Sequence, residues 1–114
     1  MRITNYGHSC MGVRTAGHDL LFDPFISGNP LAKAVDAAHI PVTEILVTHG
    51  HGDHVLDAEA IAKRSEATLI SNYEIASWFE KKGVQRTIGL NLGGGIDVGP
   101  LRVKYVTALH SSEM

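Results

Sequence analysis

Three imidazoles and a carboxylate fall within six residues, in Thr48-His49-Gly50-His51-Gly52-Asp53-His54, directly after the apolar run Ile45-Leu46-Val47. An apolar strand that ends in such a cluster reads as a metal site at a strand end. In an extended segment residues two apart face the same way, so His49 and His51 can grip one ion while Asp53 and His54 face a second position nearby. Gly50 and Gly52 are expected to permit the sharp backbone path on which these side chains converge, because glycine carries no Cβ. Imidazole together with carboxylate suits zinc, manganese, iron or nickel, and the expected cofactor is one or two divalent ions, zinc first among them. The alternative reading is a polar turn that happens to be rich in histidine.

Composition narrows the remaining classes. A chain of 114 residues with 44 % hydrophobic and 19 % charged residues can bury one core, which excludes a disordered chain or a coiled coil. A formal net charge of −2 supplies no basic field, so nucleic acid is not an expected partner. Cys10 is the sole cysteine, which rules out an intrachain disulfide, and it reads as a small buried hydrophobe. Met1-Arg2-Ile3-Thr4 lacks the apolar segment of a secretory signal, and no apolar run approaches the roughly 20 residues that span a bilayer. The expectation is a cytoplasmic protein with no membrane partner.

Along the chain, Arg2 to Tyr6, Met11 to Thr15 and Asp19 to Phe22 read as three short strands of an antiparallel meander, ended by Pro24. Residues 31–39 are expected to form a short helix, Glu44 to Thr48 a buried strand, and Asp57 to Ser65 a helix that begins just past the histidine loop. Ala67 to Ile70 returns as a strand. Ser71 and Glu74 then suggest a capping box for a helix that buries Ile75, Trp78 and Phe79 and stops at Gly83. Gly93-Gly94-Gly95 lacks the lysine and following helix of a phosphate-binding loop and reads as a turn. His18 and His39 read as exposed loop residues. Leu101 to Ala108 alternates as a strand that delivers His110 at its end, placed to add a third ligand to His49 and His51. The alternative for His110 is a strand-terminal histidine bonded to solvent.

The segment His49-Gly50-His51-Gly52-Asp53-His54 resembles the signature of the metallo-β-lactamase superfamily. Together with Tyr6-Gly7-His8-Ser9-Cys10, Phe22-Asp23-Pro24-Phe25, Gly28-Asn29-Pro30 and Leu109-His110-Ser111-Ser112, it is similar to the metal-dependent hydrolases related to L-ascorbate-6-phosphate lactonase, with the motifs in the same order along the whole chain. The resemblance implies that His49, His51 and His110 hold a first metal and that Asp53 and His54 contribute to a second. It makes Asp23 a buried residue supporting the histidine loop. His8 is left between a place beside the metal site and a structural hydrogen bond.

The fold class implied is α/β, a metallo-β-lactamase-like αββα sandwich of which residues 1–114 carry the N-terminal half, the β-sheet with its helices. In that family the second half supplies a metal-bridging aspartate and a further histidine, and neither can be located in this chain. The expected partner is therefore a complementary C-terminal half chain or, in a homo-oligomer, a second copy, since a sheet with helices on one face leaves its other apolar face to be covered. The activity implied is metal-dependent hydrolysis of a small-molecule lactone, ester, amide or phosphoester, with Asp53 as the catalytic carboxylate that orients water or accepts its proton. The alternative is a non-catalytic metal-binding half-domain, inactive without its second half.

Overall fold

Alternating residues at the start of the chain build the expected meander. In the computed structural model, which describes residues 1–110, β1 (Arg2–Gly7), β2 (Cys10–Thr15) and β3 (His18–Phe22) pair antiparallel, with Ile3 opposite Val13 and Met11 opposite Phe22. Ser111 and Ser112, the end of the last motif, lie outside the described residues. From β3 onward the ladder turns parallel, through β4 (Glu44–Leu46), β5 (Thr68–Asn72) and β6 (Thr87–Leu90), in a six-stranded sheet ordered β1-β2-β3-β4-β5-β6. Parallel neighbours need crossovers, and helices supply them. A single turn, α1 (Gly52–Val55), and α2 (Ala58–Ser65) join β4 to β5, and α3 (Tyr73–Lys81) joins β5 to β6.

Strand alternation divides the apolar residues between two faces. Leu21, Ile45 and Leu69 stand side by side in register, are at most 1 % exposed, and belong to one cluster with Ile61, Ala62 and Phe79 of the helices. Leu20, Leu46 and Ile70 point the other way. A hairpin of β7 (Gly95–Val98) and β8 (Leu101–Lys104) forms a separate two-stranded sheet, and Leu101 and Val103 share a cavity wall with Leu20, Phe22 and Leu46. The hairpin thus starts a second β layer over the face opposite the helices. No helix among the described residues is long and apolar enough to cross a membrane.

Register matters most at the carboxyl ends of the strands. Phe22 pairs with Leu46 and Leu46 with Ile70, so β3, β4 and β5 finish at one edge. The residues that follow, Asp23, Val47-Thr48-His49 and Ser71-Asn72, become neighbours. Ser71 secures this edge by donating from its buried hydroxyl to the Val47 carbonyl at 2.7 Å.

Several local expectations are corrected. Residues 31–39 are not one helix but fall in two 3-10 turns, Pro30–Ala32 and Ala37–His39, because Asn29 and Asp36 each cap the start of a turn by accepting from Leu31 N and Ala38 N, and the extended Asp36 breaks the segment between them. The cap of α3 is Asn72, whose Oδ1 accepts from Ile75 N, since Ser71 is occupied with Val47. Trp78 is 53 % exposed beneath the Lys82 ammonium, as Ala76 and Phe79 already fill the buried stripe. The last strand ends at Lys104 rather than Ala108, for β7 offers only four residues to pair with. His18 belongs to β3 and sets Nδ1 3.0 Å from the buried carboxylate of Glu44, whereas His39 is exposed as expected. Cys10 is fully buried, and that burial pushes its thiol pKa up to about 11.

The loop after Asp23 is tied to the start of α2. Asp57 is 7 % exposed, and its Oδ2 accepts from Ile26 N at 2.6 Å and Ser27 N at 2.9 Å, while its own N–H donates to the Pro24 carbonyl. Asp57→Ala strands both loop donors and is expected to lower stability by about 1.5–3 kcal/mol, the range for hydrogen bonds to a charged group. Urea denaturation of the metal-free protein reads this directly, and an unchanged midpoint would remove Asp57 from the role.

Candidate metal centre

Asp23 leaves β3 with a left-handed φ of 44° and is 4 % exposed. Its Oδ1 accepts from Thr48 N at 2.8 Å, and its Oδ2 accepts from Thr48 Oγ1 at 2.7 Å and from His54 Nδ1 at 2.9 Å. A carboxylate only accepts, so the Thr48 hydroxyl hydrogen is committed to Asp23 and the hydroxyl oxygen is left to accept from His49 Nδ1, 2.9 Å away. Both imidazoles are therefore held with hydrogen on Nδ1. Their lone pairs sit on Nε2, the arrangement in which a partner carboxylate orients a ligating histidine.

Two groups of potential ligand atoms result. In the first, His49, His51 and His110 each offer an atom within 4.8 Å of the others, and the ring centroids are 4.7, 4.5 and 5.0 Å apart. His49 Nε2 is buried and has no hydrogen-bond partner. An orphaned polar atom of this kind costs about 1–3 kcal/mol when nothing binds it, so its position among two further imidazoles fits a bound cation. Burial holds the His49 pKa below the ordinary histidine value, the His54, His110 and His51 rings push it the same way, and Asp23 opposes them. A depressed pKa keeps the ring neutral, the form that ligates.

The second group is His8, Asp53 and His54, again with one atom each inside 4.8 Å. Asp53 and His54 are consecutive on α1, and the His49 and His54 rings lie 4.1 Å apart, so the two groups share a wall. Every sequence-expected site residue, His8, Asp23, His49, His51, Asp53, His54 and His110, is brought to this edge. Gly50 and Gly52 depart from expectation. Neither has a positive φ, and a Cβ on either would meet nothing within 4 Å, so the convergence comes from the strand end and α1 rather than from glycine geometry.

Tyr105 escaped sequence reasoning, although a strand tyrosine that needs a partner for its hydroxyl was the available signal. Its hydroxyl donates to the Thr48 carbonyl at 2.6 Å and accepts from Asn72 Nδ2, while its backbone pairs with Gly93 and Gly94. The segment leading to His110 is thereby fixed to the residue beside His49. Between this segment and the sheet lies a cavity of about 650 Å³, with Phe22, Leu46, Ile70 and Val103 in its wall together with His49, His54 and His110.

The fold and the two clusters define an α/β protein with its polar centre at the carboxyl ends of neighbouring strands. Residues 3–111 match the family model of the metallo-beta-lactamase superfamily, and the chain belongs to that superfamily. It is 45 % identical over 114 residues to a UPF0173 metal-dependent hydrolase of Methylacidiphilum infernorum, covering all of this chain and 50 % of that protein. A second metal-dependent hydrolase of that group, from Flavobacterium johnsoniae, is 46 % identical over 98 % of this chain and 49 % of its own length. The chain thus spans about half the length of these curated relatives. Among solved structures, Igni18, a metallo hydrolase from Ignicoccus hospitalis, matches with a TM-score of 0.76 and 33 % identity over 84 % of this chain and 42 % of that one. The diiron β-hydroxylase CmlA from Streptomyces venezuelae shares the fold, with a TM-score of 0.73 at 19 % identity over 94 % of this chain and 24 % of that one. The described sheet and helices correspond to one half of the αββα sandwich.

Tyr105→Phe deletes the bond to Thr48 and leaves the ring in place. Zinc affinity at the first group is expected to fall about fivefold, the effect of losing one hydrogen bond of about 1 kcal/mol that anchors the segment carrying His110. A competition titration with a chromophoric chelator measures it, and unchanged affinity would show that His110 is held by other contacts.

Proposed function

We propose that residues 1–114 are the N-terminal, metal-binding half of a metallo-β-lactamase-like domain that hydrolyses a small-molecule lactone, ester, amide or phosphoester. The observation that carries this reading is the unpartnered, buried His49 Nε2 facing the same small volume as His51 and His110. Relatives described as metal-dependent hydrolases support it.

In this proposal His49, His51 and His110 hold the first ion, and Asp53 and His54 contribute to the second. Three neutral imidazoles that leave a fourth position open favour zinc, and manganese, iron or nickel fit the same donors. A divalent cation bound there supplies Lewis acidity, which lowers the pKa of water toward about 7 and polarises the substrate oxygen. The chain's own residues do the rest. Asp23 and Thr48 fix the ligand tautomers, and Asp53, half-exposed beside the centre, orients the attacking water and takes its proton. The second half of the domain comes from the same polypeptide, a separate chain or a second copy, a reading supported by relatives of about twice the length.

Asp53→Asn keeps the size of the side chain and removes the base. Hydrolysis of generic lactone and phosphodiester substrates by the two-half protein is expected to fall about 10²- to 10⁴-fold, while first-position metal affinity changes little. Wild-type rates in the variant would overturn the role of Asp53. Stoichiometric metal with no turnover under any pairing of halves would instead assign the chain to a metal-binding assembly unit.

A further inference from the structure

His8 is the one member of the two clusters whose role the sequence left open, and its surroundings are specific. It sits in the turn between β1 and β2 with a left-handed φ of 55°, just after an irregularity in the ladder between Asn5 and Gly7. Such an irregularity re-aims the following side chain. The turn has little freedom to settle elsewhere, since a Cβ on Gly7 would lie 2.8 Å from Leu31 Cβ. From this position His8 Nε2 lies 3.2 Å from Asp53 Oδ2, and Asp53 Oδ1 lies 3.8 Å from His54 Nε2. The His8 ring meets His54 and Phe25 edge-on, with centroids 5.3 and 5.8 Å away.

We infer that His8 is a third protein ligand of the second metal position, beside Asp53 and His54. Ligand atoms around a tetrahedral zinc at roughly 2.0–2.1 Å stand roughly 3.3 Å apart; His8 Nε2 lies 3.2 Å from Asp53 Oδ2, and one atom from each of the three residues falls within 4.8 Å of the others. Two imidazoles and one carboxylate are also a donor set that zinc accepts. His54 already presents Nε2 as its lone-pair nitrogen, because Nδ1 donates to Asp23.

The competing account is a plain His8–Asp53 ion pair. Both side chains are well exposed, at 38 % and 48 %, and such pairs stabilise little, less than a left-handed backbone costs at a residue other than glycine. Packing of Gly7 on Leu31 holds the turn, and a shared ion would use the direction this gives to His8 Nε2, towards Asp53 and His54.

The inference rests on the metal-hydrolase reading, and its test separates the two. Cobalt(II) and zinc titrations of the purified protein, followed by cobalt absorption in the visible range and by direct metal analysis, compare wild type with His8→Ala, His8→Gln and His8→Asp. Gln can keep the hydrogen bond to Asp53 but is a poor metal ligand, whereas Asp restores a donor oxygen. Wild type is expected to bind two ions. His8→Ala and His8→Gln should weaken the second by more than about 100-fold, beyond what loss of outer support causes, with His8→Asp recovering part of it. Two ions held with wild-type affinity and spectrum in His8→Gln would overturn the inference and leave the proposed function standing. A single ion in wild type would overturn it likewise, and a protein that takes up no metal would overturn the proposed function as well.

Discussion

One buried carboxylate holds the centre together. Asp23 accepts two hydrogen bonds from Thr48 and one from His54, and through the Thr48 hydroxyl it also sets His49. A charge at 4 % exposure is tolerable only because each bond is charge-assisted and short, and those bonds in turn hold a left-handed φ that aspartate would otherwise avoid. Thr48 is the complementary hub. Its N–H and hydroxyl go to Asp23, its hydroxyl oxygen serves His49, and its carbonyl takes the Tyr105 hydroxyl.

This clasp can form only because the sheet brings two strand ends to one edge. Asp23 follows β3 and Thr48 follows β4, and the parallel register of Phe22 with Leu46 puts them side by side. Packing of Leu21, Ile45 and Leu69 beneath the helices fixes that register, because a slip of one residue would turn this row away from the core. Helix α2 adds a second tie through Asp57, which holds residues 24–27 and so limits where Asp23 can point. Core packing, strand register and imidazole orientation are therefore successive consequences of one arrangement.

The sequence made the clustering of side chains legible where local spacing determines it. His49, His51, Asp53 and His54 lie within one strand end and one helical turn, so their neighbourhood follows from short-range geometry. His110 was expected at the end of a strand that in fact stops at Lys104, so its arrival at the cluster depends on the contacts of Tyr105, while Asp23 was named through family resemblance. What stayed hidden depends on contacts between distant segments. The aim of His8 is set by an irregular β1–β2 ladder and by Leu31, and the strut from Tyr105 to Thr48 joins residues 57 positions apart. The expected helix at 31–39 failed because Asn29 and Asp36 bond locally to the backbone, a competition that apolar periodicity does not register. Strands β6 and β7 were missed because each is short and carries a glycine, which interrupts the apolar pattern, whereas β4 lies in a continuous apolar run.

The central claim is that Asp23 sets the tautomers of His49 and His54 in the metal-free protein. Two-dimensional ¹⁵N–¹H spectra of the imidazoles in metal-free protein, recorded above the histidine titration range and assigned by single substitutions, test it most directly. The account predicts that His49 and His54 both carry hydrogen on Nδ1 with Nε2 unprotonated, and that Asp23→Ala abolishes this preference in both rings. Either ring protonated on Nε2 in wild type, or an unchanged spectrum in Asp23→Ala, would contradict it.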